Sequence, residues 1–167
     1  MAGIRLLDKN PVTINYILNR LFDPEIRHVL YDDSWGDTEL SLLLYDSRTI
    51  IYGIMEAGKP EPIGVVYFSG VKAYRDCVLT GIIFDPAKRD KGIITAQVEK
   101  IKADMRNRFA VHSVTACAIG DNQGSKKFLE RLGFQKVGVK PKSIKAAGEY
   151  QDLTIYYLLF EAKEEQK

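Results

Sequence analysis

Arg89, Lys91 and Gly92 lie between an apolar run that ends at Phe84 and a repeat of apolar residues that begins at Ile94. The repeat continues through Val98, Ile101, Met105 and Phe109 with helical spacing, while Asp85-Pro86 closes the preceding strand-like run. The junction therefore reads strand, turn, helix. The first N–H groups of such a helix have no partner within it, and the helix dipole favours negative charge at the same end. That is a seat for phosphate. Gly92 permits close backbone approach or a positive φ, and the two cations can add charge-assisted hydrogen bonds. Taken alone, the same residues also describe a solvated turn before an ordinary core helix.

A second stretch carries polar groups at helical spacing: Asn122-Gln123-Gly124-Ser125-Lys126-Lys127-Phe128-Leu129-Glu130-Arg131-Leu132-Gly133-Phe134. Asn122 serves as a helix cap or a ligand contact, or both, and Ser125 as a first-turn helix residue or a proton relay. Gly133 fits a helix stop. Lys126, Lys127, Lys140, Lys142 and Lys145 form a solvated face or supply a phosphate contact. Asp32, Asp33 and Asp37 flank Trp35 in a polar loop, with Glu39 just beyond it, where solvation and capping account for such residues. Trp35 is a lid or a core anchor.

Around these motifs the chain predicts a strand at Ile4 to Leu7 and then a helix from Asn10 to Phe22 with Pro11 in its first turn. A short helix opens at Pro24, and a third passes through Leu40, Leu43 and Leu44. Thr49 to Glu56 and Ile63 to Val71 form a hairpin. Strands follow at Cys77 to Phe84 and His112 to Ile119. Closing strands at Phe134 to Val139 and Asp152 to Phe160 are separated by a basic loop, Lys140 to Gly148. The charged tail from Glu161 to Lys167 is expected to fray. Hairpins followed by strand, helix, strand, helix, strand give an α+β domain with a mixed, mostly antiparallel sheet and helices on both faces.

The 167 residues fit a single domain, and 46% hydrophobic with 28% charged content is that of a globular protein. A net charge of +2 gives no reason to expect a nucleic-acid partner. No apolar run is long enough for a membrane helix, and no signal-peptide pattern opens the sequence, so a cytoplasmic protein is expected. The two cysteines and two histidines lack metal-ligand spacing, so no metal is expected.

Taken together, Arg89-Asp90-Lys91-Gly92-Ile93-Ile94 and the Asn122 to Phe134 stretch resemble the paired motifs of the Gcn5-related N-acetyltransferase (GNAT) superfamily. Gly92-Ile93-Ile94-Thr95 and the Gly148-to-Asp152 ending are similar to the Rim-type branch that acetylates ribosomal-protein N-termini, and to its polyamine-acetylating cousins. The resemblance implies a sheet splayed between its fourth and fifth strands, with acetyl-coenzyme A as cosubstrate in the gap. It implies cofactor contacts at Ile82, Ile83, Phe84, Arg89, Lys91, Gly92, Ile93, Ile94, Thr95, Asn122 and Lys127. It places acceptor contacts at Trp35, Asp37 and Glu39. Ser125 would be the acid that protonates the leaving thiolate, and the thioester carbonyl would meet N–H groups near Ile83 and Phe84. Where members often carry a tyrosine or a glutamate for proton transfer, this chain has Leu129, Leu79 and Ile144, which leaves Glu149, Asp152 or Asp85 as candidate bases acting through water.

The reaction expected is direct acetyl transfer to a primary amine. An α-amine with pKa about 8 is neutral about a tenth of the time at pH 7, a lysine amine roughly once in a few thousand. A site with no dedicated base loses less with the α-amine, so a protein N-terminus is the favoured acceptor, handled by a monomer or homodimer. The rivals are acetylation of a polyamine or other small amine, and a coenzyme-A-binding interaction protein with weak chemistry.

Overall fold

A computed structural model describes residues 2–89 and 91–160; Asp90 and the tail at 161–167 lie outside the described residues. The chain runs β1 (Ala2–Leu6), α1 (Pro11–Leu21), α2 (Pro24–Leu30), α3 (Asp37–Tyr45), β2 (Ile50–Glu56), β3 (Gly64–Ser69) and β4 (Asp76–Ile83). It continues with α4 (Val98–Phe109), β5 (Ser113–Ile119), α5 (Gln123–Arg131), β6 (Gln135–Ala146) and β7 (Glu149–Leu159). The strands form one sheet in the order β1-β2-β3-β4-β5-β7-β6. All neighbours are antiparallel except β4 and β5.

Alternation along the strands sends successive side chains to opposite faces and builds two cores. Ile51 and Val65 point to one face, where α1 to α3 supply Ile14, Ile17, Leu21, Leu40 and Leu44. Tyr52 and Val66 point to the other, against Ile101 and Met105 of α4 and Leu129 of α5. Each fully buried aliphatic side chain contributes about 1.5–3 kcal/mol. The helix starts are fixed locally. Asn10 accepts from the Thr13 N–H at 2.9 Å with Pro11 in the first turn, and Asn122 accepts from the Ser125 N–H at 3.0 Å.

The β4–β5 ladder is short. Asp76, Cys77 and Val78 pair with Ser113, Val114 and Thr115, and there it ends. Beyond that point β4 stays on β3 as far as Ile83, and β5 stays on β7 as far as Ile119. The two parallel strands therefore part. Asp76 clips their closed end, accepting from the Ser113 hydroxyl at 3.2 Å and the Thr115 hydroxyl at 2.8 Å.

Two expected elements differ. The helix after Gly92 begins at Val98, preceded by a 3-10 turn over Thr95–Gln97, because the chain first swings Ile94 into the core. The basic stretch from Lys140 is strand rather than loop. β6 runs to Ala146 with irregularities at Lys136/Gly138 and Lys140/Ile144, and only Ala147 and Gly148 make the turn. Pro141 is tolerated because β6 is an edge strand, where a missing N–H costs no ladder bond. The Asp152 carboxylate accepts from the Lys142 N–H at 2.9 Å and secures the bulge.

Candidate active site

Two cavities open where β4 and β5 separate. One, of about 240 Å³, is lined by Ile82 and Ile83 of β4, by Lys88, Arg89, Gly92, Ile93, Ile94 and Thr95 of the turn, and by Asn122, Gly124 and Arg131 of α5 and its cap. The other, of about 220 Å³, lies between the loop after α2, the parted strands and the β6–β7 hairpin. Val29, Gly81, Ser125 and Phe128 line both, so the cavities meet there.

The first cavity is cationic. Arg89 and Arg131 face it with no carboxylate among the described lining residues, and Lys88 is held by Glu56 at 2.7 Å. Gly92 has φ +69 and an added Cβ would meet nothing within 4 Å, so the residue is a glycine for its backbone conformation and leaves the space beside it open. Arg89 has a structural task as well. Its Nε donates to the Ile83 carbonyl at 2.9 Å and an Nη to the Phe84 carbonyl at 3.2 Å, tying the basic turn to the end of β4. The guanidinium has further donors that could meet an anion.

The second cavity has opposite character. Its walls are mainly Leu30, Leu43, Leu79, Ile144, Leu153 and the ring of Trp35, and Asp32 is the one charged residue lining it. Asp32 Oδ1 accepts from the Ser34 N–H at 2.9 Å and from the Ser34 hydroxyl. Trp35 lies 5.7 Å from the Tyr31 ring, and its carbonyl accepts from Arg27. Tyr31 and Tyr67 share a hydroxyl–hydroxyl hydrogen bond of 2.5 Å at the cavity wall. Burial pushes both phenols above their ordinary range, so they stay neutral. Asp33 roofs the cavity without entering it: its carboxylate accepts from the Ala147 and Gly148 N–H groups, each at 2.9 Å, and its own N–H donates to the Lys145 carbonyl at 2.7 Å.

The structure gathers Ile82, Ile83, Arg89, Gly92, Ile93, Ile94, Thr95, Asn122 and Ser125 around the first cavity and Trp35 into the second. It does not bring the rest there. Phe84 is buried instead against Tyr16 and the Arg20 guanidinium. Lys91 and Lys127 are exposed and line neither cavity. Glu39 caps α3 by accepting from the Gly36 N–H at 3.0 Å, and Asp37 begins the same helix. Glu149 and Asp152 lie exposed on β7, Asp152 being engaged with Lys142, and Asp85 caps the turn at Ala87 at 2.9 Å.

The backbone donors differ by one residue from expectation. The Phe84 N–H is spent on the Ile63 carbonyl at 2.9 Å, so it faces β3. Alternation along the strand then turns the N–H groups of Gly81 and Ile83 toward the opening. Of the residues that sequence reasoning missed, Gly124, Phe128 and Arg131 had a signal, because their spacing makes one stripe on α5 with Asn122's cap at its head. Tyr31, Tyr67, Thr80 and Cys117 had none.

The sheet thus parts between two parallel strands, with a cationic cavity along one side of the gap. Residues 12–155 match the acetyltransferase (GNAT) domain family, and the chain belongs to it. Among curated proteins it is similar to Probable N-acetyltransferase YjcK of Bacillus subtilis (strain 168), 28% identical over 123 residues that cover 73% of this chain and 68% of that one. Its fold is similar to the spermidine N-acetyltransferase of Vibrio cholerae, crystallised with CoA and spermine, at a TM-score of 0.77 and 20% identity over 95% of both chains. It is also similar in fold to the ribosomal-protein-S5-alanine acetyltransferase of Vibrio fischeri, at a TM-score of 0.74 and 18% identity over 95% of this chain and 92% of that one. Among the described residues no cluster of His, Cys, Asp or Glu could hold a metal, and no helix is long and apolar enough to cross a membrane.

Proposed function

We propose that this protein transfers the acetyl group of acetyl-coenzyme A directly to a primary amine, with an N-terminal α-amine of a protein as the acceptor. The observation that carries the reading is the junction: a cationic cavity suited to a diphosphate meets a carboxylate-bearing cavity suited to an amine, and Gly81 and Ser125 line both. Gly92, Arg89 and Arg131 would hold the diphosphate, and the parted strands would take the pantetheine arm.

Acetyl-coenzyme A supplies a thioester already activated for acyl transfer. The chain's part is to place and polarise it. The Gly81 N–H, turned into the opening, is the donor best placed to stabilise charge developing on the carbonyl oxygen. The Ser125 hydroxyl would pass a proton to the departing sulfur, as a relay more than as an acid. With Leu129, Leu79 and Ile144 apolar and Glu149, Asp152 and Asp85 outside both cavities, no carboxylate among the described residues lines the junction itself, Asp32 lining the second cavity only. That arrangement favours an acceptor that is already partly neutral, which an α-amine is.

The test is purified protein with acetyl-coenzyme A and a panel of N-terminal peptides, lysine peptides and polyamines, with release of free thiol followed and acetyl-coenzyme A binding measured separately by calorimetry. Transfer to α-amines ahead of lysine side chains supports the reading. Binding with no transfer to any amine would leave a coenzyme-A-dependent interaction protein instead. Absence of binding would remove both.

A further inference from the structure

The four acidic residues around Trp35 sort themselves by what their carboxylates already hold. Asp33 is taken by two amides of the β6–β7 turn, Glu39 by the first amide of its own helix, and Asp37 lines neither cavity. Asp32 alone faces the amine cavity, with Oδ1 engaged by Ser34 and Oδ2 left for a ligand. Around it the walls are aliphatic and aromatic, and the hydroxyls present belong to neutral groups such as Tyr31, Tyr67, Ser69 and Thr80.

Charge counting then decides between kinds of amine. A spermidine-like acceptor carries three amines. One must be neutral at the thioester, Asp32 can neutralise a second, and the third would sit as an unpaired ammonium against Leu43, Ile144 or Leu153. Desolvating a cation without a partner costs several kcal/mol, which offsets what burying the polymethylene chain would contribute. An amine bonded to an apolar or aromatic body reverses the balance: the body gains from the walls, and its single ammonium pairs with Asp32 on entry and then passes its proton to water, leaving a half-exposed carboxylate that Ser34 and solvent still satisfy.

We propose that the acceptor is a primary monoamine carrying a bulky apolar or aromatic group, with Asp32 as the residue that selects it and polyamines excluded. The inference rests on the acetyl-transfer reading and names the acceptor chemistry for that same site. It fits an α-amine on a hydrophobic first residue or a free arylalkylamine, and the two sources are separated by the choice of substrates.

The experiment compares kcat/KM for peptides beginning with Phe or Leu, peptides beginning with Gly or Asp, phenethylamine, and spermidine, in wild type, Asp32→Asn and Ile144→Glu. Binding of each amine to the coenzyme-A-loaded protein is measured by calorimetry alongside. Expected is a preference of about tenfold or more for the apolar amines over spermidine and the Gly and Asp peptides. If the peptides lead, the source is a protein; if phenethylamine leads, a small molecule. Asp32→Asn is expected to raise the amine KM about tenfold with acetyl-coenzyme A affinity unchanged. Ile144→Glu, which adds a second carboxylate to the wall, is expected to raise spermidine binding, and it stands as the check should Asp32→Asn fold poorly. Spermidine equal to or better than the apolar amines in wild type overturns the proposal. So does transfer that is indifferent to the acceptor's side chain. Failure of acetyl-coenzyme A to bind overturns the transfer reading itself, which the separate binding measurement distinguishes.

Discussion

The two cavities that meet at Ser125 are of nearly equal volume, about 240 and 220 Å³, and opposite in chemistry. The proposed nucleotide side is drawn from Gly81 to Arg131 with Val29 added, and it combines the backbone of Gly92 with the guanidinium side chains of Arg89 and Arg131. The proposed amine side is assembled from pieces between Val29 and Leu153, and among the described residues its charge rests on Asp32 alone, beside neutral hydroxyls. One side joins main-chain geometry to two cations, whereas the other depends on which side chains converge.

Breaking the nucleotide side should have the largest effect. Gly92→Val forces a β-branched residue into φ +69, at a cost of about 1–2 kcal/mol, and puts its side chain beside the amides that would face the diphosphate. Acetyl-coenzyme A affinity by calorimetry is expected to fall about a hundredfold, and about tenfold for Gly92→Ala. Next comes the junction. Ser125→Ala is expected to lower kcat about tenfold to a hundredfold, with the dissociation constant for acetyl-coenzyme A within about twofold of wild type. A change confined to binding would assign Ser125 to the cradle and not to proton transfer.

On the amine side, Asp33→Ala removes the acceptor of two amide hydrogen bonds and loosens the roof. Stability to urea should drop by about 1–2 kcal/mol and the amine KM should rise while acetyl-coenzyme A binding holds. Thiol labelling reads the same contrast more gently. Cys77 is buried, whereas Cys117 is exposed on the amine-cavity wall; desolvation raises both thiols, that of Cys77 to about 12, and Lys140 opposes the rise at Cys117, so access rather than titration separates them. Iodoacetamide should modify Cys117 and spare Cys77, more slowly when an amine is bound, as mass spectrometry will show.

The smallest effect concerns Glu56, whose hydrogen bonds to Lys59 and then Lys88 hold its carboxyl down to about 2 from 4.5. A depressed folded-state value stabilises the fold above pH 4.5 and is lost as pH falls toward 2. Glu56→Gln should therefore flatten the decline of thermal stability across that window in differential scanning fluorimetry.

What was readable beforehand follows the same division. Strands rich in Ile, Val and Tyr, and helices announced by Asn10-Pro11, Pro24 and Asn122, lie where periodicity and caps put them. The cradle was legible because it resides in one stretch with its own spacing, whereas the parting of the sheet was implied only by the family resemblance. The family resemblance added the fold around them. β6 was hidden because its solvent-facing lysines and Pro141 carry a loop's composition while its pairing with β7 supplies the order. The amine wall was hidden for a different reason. Nothing local to Tyr31 or Asp32 says that Tyr67, Cys117 and Ile144 will arrive beside them, since that convergence is made by the sheet. Asp33 could be read as one more surface acid, yet its three hydrogen bonds reach from the second helix to the last turn.

That reach across 114 positions has a consequence for assembly. The cavity proposed for the carrier has all its walls by Arg131, but the amine pocket lacks Ile144 and Leu153 until the final hairpin has folded and its tip has been caught by residue 33. Long-range closures of this kind come late. During synthesis the protein would thus acquire its grip on the carrier before it acquires the ability to choose what receives the acetyl group.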